Sequence, residues 1–305
     1  MKIKITYVLM MLLSAMIWGF AIVAQIYGAD LVGPFTMTGV RFAIGCLALI
    51  PVIVIFERRK LVPIVSDRTL RKKGILSGIV AGVALFCATS IQQFGINTTG
   101  SAGITGLITG LYTVLVPLAC FLLFRTKIKA NVWVGAVAAL LGTVMLCYRP
   151  GEGISLGLGE LLLFVGTLCW TIHFIVLDKL SNNLPPLSLS FVQFSVCAVL
   201  GIACMFIFEE PTLADILAAK IPILYCGILS VGVAYTLQVV AQSKVPAALA
   251  AIVLSTESVF SAIGGVIFGT DEITIAGYVG CAVFFCGIVY SQTDIGLFKK
   301  KDRLE

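Results

Sequence analysis

A chain of 305 residues that is 59% hydrophobic and 12% charged, with a mean hydropathy of +1.08, is not an ordinary soluble domain, where about a quarter of residues carry charge. That composition excludes an aqueous globule and sets most of the surface against lipid. The net charge of +6 comes without a basic patch interleaved with aromatics, which argues against a nucleic-acid partner.

Ten apolar segments follow one another at 5–25, 34–56, 74–94, 101–124, 130–148, 157–177, 187–208, 221–241, 247–268 and 274–292. Each approaches the ~20 residues that cross a bilayer as helix. Their lack of regular alternation rules against a lipid-facing barrel. Lys2 and Lys4 precede the first segment as in a signal peptide. Its apolar run is longer than a signal core and nine more follow, so a retained helix is expected. In the fourth segment Pro117 predicts a kink. Gly74, Gly78 and Gly82 share one face of the third and predict close helix contact. The ten cysteines include no Cys-x-x-Cys pair and the chain has one histidine. Packing is therefore expected of them, with no disulfide, metal or cofactor.

With the N-terminus inside, every basic residue except Arg41, Arg149 and Lys220 falls in an inner connection. This asymmetry is what positive-inside insertion produces. It predicts a multi-pass protein of the cytoplasmic (inner) membrane with both termini cytoplasmic.

The halves repeat. Trp18, Pro34-Phe35 and Val40-Arg41-Phe42 recur 152 residues later as Trp170, Pro186-Leu187 and Val192-Gln193-Phe194. The register then becomes 145 residues, matching Gln93 with Gln238, Ala102 with Ala247, Val114 with Val259, Ile128 with Ile273, Gly135 with Gly280 and Gly142 with Gly287. The change is assigned to a longer inner loop, Glu57–Lys73, against the outer loop Glu209–Lys220. Residues 1–150 and 151–305 are thus expected to be two five-helix repeats. An odd number of spans inverts the second copy, the architecture of secondary transporters.

Polar groups inside the bilayer are costly unless partnered or hydrated. Glu257 lies about 15 Å into the ninth span, at the depth of the midplane. It reads as a proton carrier or partner of a substrate cation, or else as a protonated side chain bonded to a neighbouring helix. Arg41 reads as an anion-recognising group or as one that snorkels outward. His173, one turn after Trp170 on the same face, is a substrate or proton ligand or a packing residue. Gln92 and Gln93 near the outer end of the third span, and Gln238 and Gln242 near the inner end of the eighth, either line the pathway mouths or bond between helices. Trp18, Tyr112, Trp170 and Tyr235 line an aromatic cavity or simply pack. The expected substrate site is Trp18, Arg41, Tyr112, Trp170, His173 and Glu257.

Ala15-x-x-Trp18-Gly19, Arg41-Phe42, Gln92-Gln93-Phe94-Gly95, Gly103-Ile104-Thr105-Gly106-Leu107, Trp170-x-x-His173-Phe174-Ile175, Gln193-Phe194, Gln238-x-x-x-Gln242 and Leu254-Ser255-Thr256-Glu257-Ser258-Val259-Phe260 form a set spread over nearly the whole chain. In these motifs the sequence resembles the drug/metabolite transporter superfamily, specifically its EamA-type members. The resemblance implies an all-α membrane protein of ten transmembrane helices in two inverted five-helix repeats. It also implies secondary active transport, often export, of a small metabolite or amino-acid-like compound. Two departures stand out. Ser258 follows Glu257 where similar sequences often have proline, and Tyr112 occupies the position matching Glu257 in the first repeat. No Walker A pattern is present, so a gradient or solute exchange is the expected drive, with protons a candidate coupling ion. The expected partners are a small-molecule substrate and the lipid bilayer, and a homodimer is left open. Two other classes compete. A membrane-embedded enzyme needs a convergent nucleophile and base or a metal, which one histidine and one central carboxylate serve poorly. A non-transporting scaffold or regulator would be expected to carry a sizeable soluble domain.

Overall fold

The computed structural model describes residues 5–125, 130–149, 153–154, 157–180, 184–245 and 247–292. Lys2, Lys4, Lys127, Lys129, Lys299, Lys300, Lys301 and Arg303, which contribute to the charge asymmetry, lie outside the described residues, as do both termini.

The chain opens with α1 (Ile5–Ala29) and α2 (Pro34–Phe56), the latter begun by a proline whose missing N–H costs nothing in a first turn. A short α3 (Arg58–Ser66) follows where only a loop was expected. The 32-residue α4 (Arg68–Thr99) extends beyond the expected 74–94 at both ends. Its true boundaries are chemical: the Asp67 carboxylate accepts the Thr69 and Leu70 N–H groups, and Gly100 at φ 61° stops the helix. Next come α5 (Ala102–Gly110), α6 (Tyr112–Phe124) and α7 (Ala130–Cys147). A two-residue antiparallel strand pair, Tyr148–Arg149 with Gly153–Ile154, leads to α8 (Leu158–Leu180) and α9 (Pro186–Phe208).

In the connection that follows, α10 (Leu213–Ala218) is closed by a reciprocal box between Thr212 and Asp215. The hydrogen bonds from the Thr212 hydroxyl and N–H hold the Asp215 carboxyl below its ordinary range. Then α11 (Lys220–Leu224) runs through a π-helical stretch, Tyr225–Tyr235, into α12 (Thr236–Gln242). The remaining helices are α13 (Ala247–Leu254), α14 (Glu257–Phe268) and α15 (Ile275–Gln292).

Among the described residues, seven helical stretches are long and apolar enough to cross a membrane, and Trp133–Leu146, Glu257–Phe268 and Ile275–Gly287 are shorter apolar helices. Their outward faces are apolar: Phe206, Phe208 and Ile275 are exposed, whereas Arg41, Gln93, His173, Gln193 and Gln238 are buried. This inside-out polarity suits lipid as the surrounding solvent. The chain is a multi-pass, helical membrane protein.

The fourth segment is not one continuous helix. The interruption falls at Leu111, between α5 and α6, and Pro117 lies inside α6. A residue at 117 would donate to the Thr113 carbonyl. Thr113 is already in the first turn of α6, so the lost bond sits next to a helix start that exists anyway.

Reciprocal contacts clamp α2 to α9. At one end the Glu57 carboxylate accepts the N–H of Leu187 at 3.1 Å, the N–H of Ser188 at 2.9 Å and the Ser188 hydroxyl at 2.7 Å. At the other, the Glu209 carboxylate accepts the N–H groups of Phe35 and Thr36 at 2.8 Å and the Thr36 hydroxyl at 2.7 Å. Each helix therefore ends in a glutamate that satisfies the free N–H groups opening the other. The two run antiparallel and approach closely at Gly39, where a Cβ would lie 2.7 Å from the Ile202 backbone nitrogen. A second tight pair joins α7 and α15, where a Cβ on Gly142 would fall 2.5 Å from the Gly280 carbonyl oxygen.

Candidate functional site

Both interrupted spans break beside the centre of the bundle. Tyr112 opens α6 and Glu257 opens α14. Helix starts inside an apolar protein leave N–H groups without intrahelical partners, and their partial positive charge offsets part of the cost of burying the Glu257 carboxyl. Ser258, in the place where proline was noted as common, donates its hydroxyl to the Gly106 carbonyl at 2.6 Å. Glycine at 106 and 110 lets α5 approach this close, since a Cβ at either would strike Ser261 or Ser258.

Around these starts lies a cavity of about 30 Å³ walled by Trp18, Gln25, Arg41, Gln92, Thr109, Tyr112, Trp170, Phe174, Ser230, Tyr235 and Glu257, with Ala21 and Ile22. It has room for one or two waters at most. Tyr235 is its aromatic centre: the Trp18 ring lies 4.6 Å away and the Trp170 ring stacks on it at 5.9 Å. The indole N–H of Trp18 donates to the Ser230 carbonyl at 3.3 Å. The indole N–H of Trp170 donates to the Gln92 side-chain oxygen at 3.2 Å, and the Gln92 amide donates to Thr109 Oγ1 at 2.9 Å. These bonds fix the two tryptophans as walls. Tyr112 lies against Phe174 at 4.9 Å and beside Glu257.

Arg41 does not snorkel. It is 2% exposed and donates from Nη1 to the Gln25 side-chain oxygen at 2.5 Å. Its guanidinium lies over the Phe42 ring at 5.4 Å, and its Nε has no hydrogen-bond partner among the described residues. The cavity thus holds one guanidinium and one carboxyl in an aromatic surround, enough to address a molecule bearing both charges.

Of the expected substrate-site residues, Trp18, Arg41, Tyr112, Trp170 and Glu257 meet on this cavity, and so do Gln92 and Tyr235 from the expected pathway. His173 stands behind Trp170, edge-on at 5.6 Å, and pairs with the Gln193 amide oxygen at 3.1 Å. Gln93 donates to Asn97 one turn on, and Gln238 to Gln242, whose amide donates to the Phe174 carbonyl. The amide N–H groups of these three are engaged within and between helices, while the side-chain oxygens of Gln93 and Gln238 are buried with no hydrogen-bond partner among the described residues. Gln25, Thr109 and Ser230 were not anticipated. Gln25 carried a usable signal, being two turns after Trp18 on one helix face, but it coincided with the expected end of the span. Nothing in the sequence marked Thr109, or the Ser230 backbone carbonyl.

The EamA-like transporter family model matches the chain twice, over residues 5–148 and 157–292. An uncharacterized transporter of Archaeoglobus fulgidus is 24% identical over 277 residues, covering 91% of this chain and 82% of that protein. The uncharacterized transporter YoaV of Bacillus subtilis is 24% identical over 278 residues, covering 90% and 92% respectively. A solved crystal structure of a protein at 18% identity superposes with a TM-score of 0.72 over 94% of this chain and 96% of its own, a likeness of fold alone. With two family matches that together span the described helices, the chain belongs to the EamA-like transporter family of the drug/metabolite transporter superfamily.

Proposed function

We propose that this protein is a secondary active transporter that exports a small polar, amino-acid-like compound across the cytoplasmic membrane by alternating access to a central site. The observation that carries this reading is the joint presence of Arg41 and Glu257 on one enclosed, aromatic-walled cavity. A zwitterion matches it, with its carboxylate toward the guanidinium and its ammonium toward Glu257 and the indole faces. The cavity is smaller than any such solute, so loading requires the surrounding helices to part. Proton coupling through Glu257 is the accompanying proposal, because a carboxyl group shared between substrate and proton makes the two compete.

The same reading includes ten spans in two inverted five-helix repeats, residues 1–150 and 151–305. Three features support it. Glu57, Leu187 and Ser188 stand 152 residues from Glu209, Phe35 and Thr36 respectively, and the two sets form the same clamp in exchange. Tyr112 and Glu257, which open the two interior helices, are 145 residues apart. Interruptions at corresponding places in two halves are the strongest pointer to a transporter's binding site. Gly142 meets Gly280 as Gly287 meets Gly135, each residue 145 from its counterpart. The basic residues favour cytoplasmic termini.

Flux into proteoliposomes tests the function. Purified protein facing an imposed pH gradient should move radiolabelled zwitterionic amino acids faster than protein-free vesicles. Absence of flux across a panel of amino acids and other small polar solutes would refute the transport of this substrate class.

A further inference from the structure

The connection between α2 and α4 has a charge pattern that helix stability does not explain. Seven basic residues lie between Arg58 and Lys73, all of them exposed. Arg58, Arg59 and Lys60 occupy the first turn of α3, and Arg68 and Arg71 the first turn of α4. Cations at helix N-termini are unfavourable, since the macrodipole there is already positive. Of the two acids nearby, Glu57 is buried against α9 and Asp67 caps its own helix.

Directly beside this cluster runs an apolar groove of about 370 Å³, bounded by Ile50 and Val54 of α2, Leu61 of α3, Ile75 of α4 and Phe191 of α9, with Arg71 in its wall. Among the described residues, three comparable grooves on the bundle surface, between α14 and α15, between α1 and α11, and between α7 and α8, have no basic residue in their walls. The third of them instead carries Glu160. Of these four grooves among the described residues, the one beside the cationic cluster is the one with a basic side chain in its wall.

We infer that this groove is a binding site for an anionic phospholipid of the cytoplasmic leaflet, with an acyl chain between α2, α4 and α9 and the phosphate against Arg71 and the basic start of α3. A chain alone is held without selectivity, because the surrounding bilayer offers the same apolar contacts. The headgroup provides the preference, each Lys or Arg near an anionic surface adding to attraction that neutral lipids lack. Ser188, which receives the Glu57 clamp, also lines the groove. An occupied site therefore sits against the α2–α9 clamp. The inference rests on the proposed cytoplasmic placement of this connection, and not on the substrate.

The test is thermal unfolding and native mass spectrometry of the full-length protein in detergent, with phosphatidylglycerol, phosphatidylcholine or soluble glycerol phosphate added. Phosphatidylglycerol should raise the unfolding temperature and remain bound; phosphatidylcholine and glycerol phosphate should do neither. Arg58→Gln with Arg71→Gln should weaken retention by roughly fivefold per charge removed. Val54→Trp, which fills the groove and leaves the charges, should also lose the lipid, and Lys220→Gln should keep it. Equal effects of the two phospholipids would overturn the proposal and leave the cluster as a determinant of insertion. A full effect of glycerol phosphate, or retention undiminished in Val54→Trp, would overturn the groove as the acyl site. Neither outcome bears on flux, so transport stands or falls separately.

Discussion

Glu257 occupies a position that a purely structural glutamate has little reason to take. It is 5% exposed, opens a helix inside the bundle, and faces Tyr112, Trp18 and Trp170 across a space too small for a solute. Its neighbour Ser258, by contrast, is tied directly into packing through the Gly106 carbonyl. Glu257→Gln separates the two roles, because an amide keeps nearly the same shape and can still hydrogen-bond but cannot take up and release a proton in the physiological pH range. We expect the variant to fold with unfolding free energy within about 1 kcal/mol of the parent. pH-gradient-driven flux should be lost while solute exchange persists. Flux with unchanged rate and pH dependence would make the residue structural. The sequence exposed Glu257 and Arg41 because charge inside an apolar run is costly. It left their orientation open: burial of Arg41 against Gln25 and Phe42 depends on which helix lies opposite, and a single span does not contain that information.

Among the helices, the paired clamps of α2 and α9 carry the clearest energetic prediction. Each glutamate satisfies two backbone N–H groups and a hydroxyl at a helix start. Glu57 is 3% exposed, whereas Glu209 is partly open to solvent. Donors left bare in the buried case have no water to replace the carboxylate. Glu57→Ala should therefore cost about 1–3 kcal/mol, and Glu209→Ala less, in denaturant or thermal unfolding of the detergent-solubilised protein. Equal and negligible effects would mean that the contacts do not hold the pair. Apolar runs made the long helices legible, but both ends of α4 were missed, whereas the start capped by Ser101 fell where expected. Asp67 and Gly100 lengthen α4 past its apolar stretch. The break at Leu111 directly follows Gly110, one of several glycines in that segment, and the break at Ser255–Thr256 has neither proline nor glycine at the residues concerned. The π-helical stretch before α12, which brings Ser230 and Tyr235 to the cavity, contains Gly227 and Gly232, but neither residue distinguishes it from an ordinary helical span.

For the molecule as a whole, the registers of 152 and 145 residues pointed to a repeat before any contact was known, and the same offsets relate the clamps, the two interior helix starts and the α7–α15 glycines. His173 shows where such reasoning stops. Its spacing from Trp170 put both on one face, yet only the tryptophan reaches the cavity, because Gln193 of α9 holds the imidazole behind it.

Alternating access makes one demand that a static bundle does not meet: the same central residue must become reachable from either side of the membrane. Thr109, on the cavity wall and bonded to Gln92, suits a direct measurement. In a variant with the ten native cysteines replaced, Thr109→Cys would be exposed to a membrane-impermeant thiol reagent from outside intact cells and, separately, from the inner face of inverted vesicles. The account predicts modification from both sides, slowed by transported solute and accompanied by loss of flux. Modification from one side only, or from neither while flux continues, would contradict it.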